Sequence, residues 1–477
     1  MPRPTDLHRR TLLAGSLAAS GLLGTAAERS HAATRLAVEN VTRIYPVEVA
    51  RIEVPRSAAD VAAAVTAWPG QVAVGGGRYS MGGQVAVRAG LHLDMRQMNR
   101  LVWLRPAESA VRVQAGMRWR DLQDLLDPLG LAVKTMQSYS NFTVGGSVSV
   151  NCHGRYVGHG PIGHSVRALQ LVTADGSVLE LGPGVQPELF AAVIGGYGAV
   201  GVVTEVELDV VANTRLQRRV TPVALEAYAA HFRQSVLADP TAVLHNADLL
   251  PPRFDAPVCV TWHRVDDATP LTEPARLVPR GESYALAQNA IFVMTELPGG
   301  GLLREKVVHP LLMRQPAVKW LNHEASLDAA ELEPRTRAVS TYVLQEYFIP
   351  ERQFLPFAKA MAALLQRRRV EALNVSIRHS PADRVSALPW AREEVFSFVL
   401  YYKQRTWAAA REQVGEWTRE LIELALRHEG RYYLPYQLHA RADQFARAYP
   451  EAGRLRRIKR DVDPAGKFSN ELWRQYL

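Results

Sequence analysis

The stretch Thr143-Val-Gly-Gly-Ser-Val-Ser-Val-Asn-Cys-His-Gly-Arg155, continued by Tyr-Val-Gly-His-Gly-Pro-Ile-Gly163, sets two glycines and small residues against Val144, Val148 and Val150. Glycine then recurs at 154, 158, 160 and 163. With no Cβ in the way, such backbone can lie against something flat and large. A partner for it stands upstream. Val72-Ala-Val-Gly-Gly-Gly-Arg-Tyr-Ser-Met-Gly-Gly-Gln84 is a short apolar strand running into three consecutive glycines, whose amide N–H groups can form a nest for a diphosphate. Each stretch alone reads equally well as a turn, whereas the two together point to a dinucleotide.

Working outward, Val49–Val54 alternates as a strand, and Ser57 with Asp60 forms a capping box ahead of Val61, Val65 and Trp68 on one helical face. Val72–Val74 is the second strand of this β-α-β unit. Leu91–Asp94 and Val111–Ala115 read as further strands, and Trp119–Leu129 as an amphipathic helix carrying Leu122, Leu125, Leu126 and Leu129. Leu169–Ala174 and Val178–Leu181 make a hairpin around Asp175-Gly176, Leu189–Ile194 a short helix, and Gly201–Val211 a strand with strict alternation. From Thr214 onward the glycine loops give way to helices at Leu225–Leu237, Met313–Leu321, Phe354–Arg368 and Trp407–Arg427. Strands alternate with them at Val258–Trp262, Val339–Ile349, Leu373–His379 and Val395–Tyr402.

The 477 residues allow several domains, and 47% hydrophobic content is ordinary for a globular protein. The formal charge of +9 is spread among Asp and Glu rather than gathered in a run, so a nucleic-acid face is not expected. His8-Arg-Arg-Thr-Leu-Leu-Ala14, an apolar run to Ala27 and Ser30-His-Ala32 read as a twin-arginine signal peptide over residues 1–33, too weakly apolar to serve as an anchor. Export is therefore expected, to the periplasm or beyond. The two cysteines, Cys152 and Cys259, require no disulfide, and His153, His159 and His164 lack zinc-ligand spacing, so no metal is expected.

Gly75-Gly-Gly-Arg-Tyr-Ser80, Thr143-Val-Gly-Gly146, Cys152-His-Gly154, Thr173-Ala-Asp-Gly176, Gly195–Glu205 and the terminal Asp463-Pro-x-Gly-x-Phe-x-Asn470 together resemble the vanillyl-alcohol oxidase / p-cresol methylhydroxylase superfamily of FAD enzymes. Cys152–Asp209 is similar to decaprenylphosphoryl-ribose oxidases, Gln345-Glu-Tyr-Phe-Ile-Pro350 and the Asp-Pro motif to aldonolactone and alditol oxidases. The resemblance implies an α+β fold, with a two-part FAD-binding domain over 38–212, a substrate domain over 213–430 built on a helix-covered antiparallel sheet, and a segment 431–477 returning to the first domain.

It also implies site residues. Val74, Gly75, Gly76, Gly77, Arg78, Tyr79, Ser80, Met81, Gly82, Gly83 and Gln84 would surround the diphosphate. Ser138, Thr143, Val144, Gly145 and Gly146 would run along the cofactor, with Val150, Asn151, Cys152 and His153 beside the flavin ring and the Val203 backbone on the adenine. Many members carry a flavin-linked histidine after the glycines, where this chain has Arg78 or Tyr79, so non-covalent FAD is expected. Tyr436 stands where ribose oxidases carry a lysine, and Ser376-Ile-Arg378 where aldonolactone and alditol oxidases have Glu-x-Arg. Oxidising a carbinol by hydride transfer needs a base, a charge clamp and a hydroxyl partner, for which the candidates are Glu346, Arg378 and Tyr433, the last able to bond either the hydroxyl or the flavin. Each has a plain structural alternative, respectively an exposed strand residue, an ion pair and a core aromatic. The electron acceptor is oxygen or a quinone or periplasmic carrier, and Cys152, placed where small residues go with oxidase behaviour, points to slow reaction with oxygen. Two other readings stay open, a flavin reductase drawing on a nicotinamide and a catalytically silent binding protein.

Overall fold

The computed structural model describes residues 36–281, 316–329, 337 and 339–477. The signal segment read over residues 1–33 lies outside the described residues. Leu36–Leu477 forms one compact unit of mixed α+β architecture built on three main sheets.

The first sheet is small and parallel, in the order Arg51–Glu53, Leu91–Asp94, Val72–Gly75. The β-α-β unit is present, yet its two strands are not neighbours, because Leu91–Asp94 lies between them. All four residues of that strand are buried, whereas Arg51–Glu53 is partly exposed. A continuous apolar run takes the centre of a parallel sheet and a charged one its edge. The helix Ala58–Ala67 is capped by the Ser57 side chain, which accepts from Asp60 N, and buries Val61 and Val65 against Val72, Leu91 and Leu93. Asp60 returns its bond to Arg56 N at 2.8 Å.

A second sheet runs in the order Val178–Leu181, Val166–Val172, Val202–Ala212, Ala110–Gln114, Leu101–Arg105, with Leu131–Val133 on the far end of its central strand. The alternation read there is real, since Val202, Thr204, Val206, Leu208 and Val210 all point into the core. The amphipathic helix ends at Leu126, and Pro128 and the left-handed Gly130 turn Asp127–Leu129 away, leaving Leu125 and Leu129 exposed. The glycine stretch itself is a helix, Val144–Ser149. Its valines recur at i and i+4 as well as at even positions, so Val144 and Val148 form one buried helical face. The glycines allow the helix to touch its neighbour, for a Cβ on Gly145 would stand 2.6 Å from that of Ala115.

The third sheet is antiparallel and eight-stranded, in the order Val318–Trp320, Arg215–Pro222, Val258–Arg264, Ala242–Leu249, Ala372–Ser380, Val395–Arg405, Ser340–Pro350, Arg431–Tyr432. Helices Phe354–Arg367 and Ala408–Arg427 pack against it. Where a helix is expected over Met313–Leu321, the described part is the edge strand Val318–Trp320, followed by a helix only at Leu321–Ala325, while 311–315 lies outside the described residues. Lys319 and Trp320 are half-buried on a sheet edge, a pattern that serves a strand as well as a helix. Residues 225–237 are helical throughout but wind unevenly, with an α turn at Tyr228–His231 and a π-helix over Phe232–Leu237.

The last residues return to the first sheet. Val72 N donates to Lys467 O at 2.7 Å and Ser469 N to Val72 O at 3.0 Å, so this segment continues the parallel sheet beyond Val72. Asp463 holds the bend, accepting from Lys467 N, Phe468 N and Lys459 Nζ at 2.7 to 2.9 Å. Gly466 turns at φ +64°, Phe468 enters the core beside Val72, and Asn470 Nδ2 donates to Tyr197 O.

Candidate active site

Between the two glycine stretches and one face of the eight-stranded sheet lies a cavity of about 580 Å³. That is the size range of small-molecule and cofactor pockets. Its first end is built by the two stretches, which touch each other. Gly77 N donates to Thr143 Oγ1 at 3.3 Å, and a Cβ on Gly76 would stand 2.1 Å from the same oxygen. Arg78 leaves the strand at φ +62° and turns its guanidinium back onto Asp94 at 2.9 Å and His92 at 3.0 Å. Arg96 holds the other flank of Asp94. Burial first, then the charge of Arg78, brings the His92 imidazole down to about 4. His92 is thus neutral, and its Nδ1 lies 2.9 Å from Val85 O.

The second end is the sheet face. Side chains at alternate positions reach it from three paired strands: Tyr342, Leu344 and Glu346; Asn374, Ser376 and Arg378; Val399 and Tyr401. Glu346, 4% exposed, is central. Its Oε1 lies 2.6 Å from His153 Nε2, and its Oε2 accepts from Tyr436 OH at 3.3 Å. Burial raises the Glu346 pKa, but His153 and then Arg378 outweigh burial and hold it below the ordinary glutamate value. Burial and the neighbouring Glu346 push the Tyr436 phenol well up, so it remains a donor. Arg378 is brought down by burial and supported by Glu346. Tyr433 OH donates to Val150 O at 2.7 Å, which ties the sheet-edge segment to the wall beside Cys152 and His153.

Of the residues expected at the site, Val74, Gly76, Gly77, Arg78, Tyr79, Ser80, Met81 and Gln84 line the cavity. So do Ser138, Thr143, Gly145, Gly146, Val150, Cys152, His153, Val203, Glu346, Arg378 and Tyr433. Gly75, Gly82, Gly83, Val144 and Asn151 stand behind the wall. Gly75 passes His92 where a Cβ would be at 2.4 Å, Gly82 passes Tyr436 O, Gly83 turns at φ +98°, and Val144 is core. Asn151 ties the loop, accepting from Gly163 N and donating to Asp383. At Val203 the strand pairs with Leu171 on one side, while pairing with the strand at 110–114 begins only at Glu205. Arg155, Asn246, Asn374 and Tyr436 also line the cavity and are not among the expected site residues. The signal for them is polar or charged residues at alternating positions, on a sheet face where strand patterning calls for apolar ones.

The first end fits an acceptor-rich ligand such as FAD. Ser138 Oγ and Arg78 Nε are buried and bond nothing among the described residues. Buried donors of this kind call for acceptors. The same described residues contain no cluster of side chains able to hold a metal ion and no helix long and apolar enough to cross a membrane.

Residues 49–182 match the family described as FAD binding domain. The chain is 33% identical over 156 residues to L-gulonolactone oxidase of Bos taurus, which covers 33% of this chain and 35% of that protein. It is 26% identical over 377 residues to alditol oxidase of a Streptomyces species, covering 77% and 81%. Decaprenylphosphoryl-beta-D-ribose oxidase of Mycolicibacterium smegmatis is 24% identical over 444 residues, covering 85% and 89%. The chain thus spans about a third of the bovine relative and most of the two bacterial ones. Two touching glycine stretches, unpartnered donors on residues that line the cavity and these matches have one common reading: the chain carries an FAD-binding domain of the p-cresol methylhydroxylase type.

Proposed function

We propose that this chain is an FAD-dependent oxidoreductase acting on the CH–OH group of a small hydroxylated molecule, a sugar, polyol, lactone or related alcohol. The observation that carries the reading is the buried His153–Glu346 pair, placed in a cavity whose other end is the glycine cradle. The alditol and gulonolactone oxidases among its relatives support the same class of substrate. FAD, when bound, supplies a hydride acceptor.

The residues of the chain supply the rest. A carbinol gives up hydride readily only when its O–H proton is held by an acceptor. Glu346 is that acceptor, kept ionised by His153 and Arg378 despite its burial. His153 occupies Oε1 and fixes the carboxylate, so Oε2 is shared between Tyr436 and the incoming hydroxyl. Arg378 offsets negative charge developing on the substrate oxygen. Tyr433, committed to Val150 O, positions the wall rather than moving a proton. Anaerobic mixing of the yellow protein with sugars, lactones, polyols and aromatic alcohols tests the reading. Bleaching by at least one of them is expected, and bleaching only by NADPH would overturn it.

The cofactor is held without a covalent bond. Arg78 is turned onto Asp94, and burial keeps the Cys152 thiol protonated and so unreactive. Acid precipitation should leave the colour in the supernatant. Cys152, 2% exposed and lining the cavity, restricts oxygen and favours a quinone or carrier as acceptor. Faster reoxidation in air by Cys152→Gly would support this, and an unchanged rate would refute it. Export by the twin-arginine route rests on Arg9-Arg10, and replacing both by lysine should retain the protein in the cytoplasm.

A further inference from the structure

Charge is distributed unevenly around the cavity. Among the described residues that line it, four are arginines, Arg78, Arg155, Arg337 and Arg378, and one is acidic, Glu346. The carboxylates that balance two of the arginines sit behind the wall. Arg78 leans on Asp94, and Arg155 Nη2 donates to Glu324 at 2.9 Å, both acids being under a tenth exposed. A ligand therefore meets the guanidiniums before their counterions, in a low-dielectric recess that concentrates their field.

Arg78 belongs to the cofactor end. Arg155 and Arg378 belong to the sheet end, where a substrate would lie. Arg378 Nε is shut from solvent and bonds nothing among the described residues. The acid that supports it, Glu346, makes no hydrogen bond to it among the described residues; Oε1 lies 2.6 Å from His153 Nε2 and Oε2 accepts from Tyr436. Asp248, on the strand paired with that of Arg378, accepts from Asn246 and Asn374 at 3.4 Å and is not part of the lining. The second guanidinium, Arg155, has an Nη1 whose contact to Asn246 is long, at 3.4 Å. A buried guanidinium N–H without an acceptor is costly, and guanidinium forks match the two oxygens of a carboxylate or phosphate.

We infer that the substrate carries an oxyanion, carboxylate or phosphate, besides the hydroxyl that is oxidised, and that Arg378 and Arg155 hold it. The inference rests on the reading of the sheet end as an alcohol site and names the substrate class within it. The polar side chains beside the two arginines, Asn246, Asn374 and Ser376, suit the remaining hydroxyls of a sugar acid or sugar phosphate.

Equilibrium binding to the FAD-loaded protein tests the inference without requiring turnover. Dissociation constants are measured by calorimetry for gluconate, glucose 6-phosphate and sorbitol. At least one anion is expected to bind about tenfold more tightly than sorbitol, and the better anion identifies the group. Arg378→Gln and Arg155→Gln should each bring that anion to the level of sorbitol while FAD content is retained, with Arg378→Lys restoring part of the difference. Should either variant lose FAD, the salt dependence of the parent serves instead, because the preference for the anion should shrink as ionic strength rises. Equal or tighter binding of sorbitol, or a preference that survives both variants and high salt, would overturn the inference. If an anion binds as described and no alcohol bleaches the flavin, the proposed reaction fails and the oxyanion site stands.

Discussion

Glu346 combines near-complete burial with a pKa held below the ordinary glutamate value, because His153 and Arg378 outweigh the cost of burial. A carboxylate depressed in the folded state adds stability that is present above its unfolded pKa and lost as pH falls through the lowered folded value. Glu346→Gln should therefore flatten the acid limb of the stability profile, measured as thermal midpoint against pH. It should also slow substrate-driven flavin reduction by about 10²- to 10⁴-fold, the usual contribution of a general base. A parent-like rate would remove Glu346 from the chemistry. Arg78 makes a different prediction. Arg78→Ala leaves Asp94 still bonded by Arg96, so the loss should be modest, about 1–2 kcal/mol in denaturant unfolding. The His92 pKa, depressed first by burial and then by Arg78, should rise in the same variant, as an NMR titration would report. Glu346 and Arg378 are visible in the sequence as charges within apolar strands. His153 is visible as a member of the glycine stretch, but its pairing with Glu346 is not, since nothing in the spacing says that this loop reaches a strand of another sheet.

Among the elements, the short helix Val144–Ser149 bears most directly on cofactor binding. Its Gly145 lies against the Ala115 backbone, with a missing Cβ 3.0 Å from Ala115 O. Gly145→Ala must push the helix off the end of the strand Ala110–Gln114, a backbone shift costing about 1–3 kcal/mol. The expected result is a protein with normal secondary structure by circular dichroism and far less bound FAD. Full FAD content would show that the close approach is dispensable. This helix is also where sequence reading is weakest, since valines four apart satisfy a strand's period of two and a helix's near-four repeat equally. The long elements are unambiguous. Phe354–Arg367, Ala408–Arg427 and the strand Val202–Ala212 run close to their expected bounds, because each repeats one period long enough to exclude the other. Strand order in the parallel sheet is not written in any one strand, and only the burial of all of Leu91–Asp94 reveals which lies in the middle.

For the molecule as a whole, the motif Asp463-Pro-x-Gly-x-Phe-x-Asn470 is a clasp. The carboxylate of Asp463, a residue 2% exposed, accepts three hydrogen bonds, one of them from Lys459, which itself donates to Ala199 O and Phe468 O. Asp463→Ala removes the centre of a buried charged network and should cost about 3–5 kcal/mol. Denaturant unfolding with and without added FAD measures the loss, and a change under about 1 kcal/mol would mean that the clasp is redundant. The clasp has a consequence in time. The strand that leads into the triple glycine completes its pairing with residues made hundreds of positions later, so this side of the cradle gains its last neighbour only near the end of translation. A chain cut short before the clasp should therefore hold less flavin even where its first sheet is made, which the absorbance of a purified truncation would show.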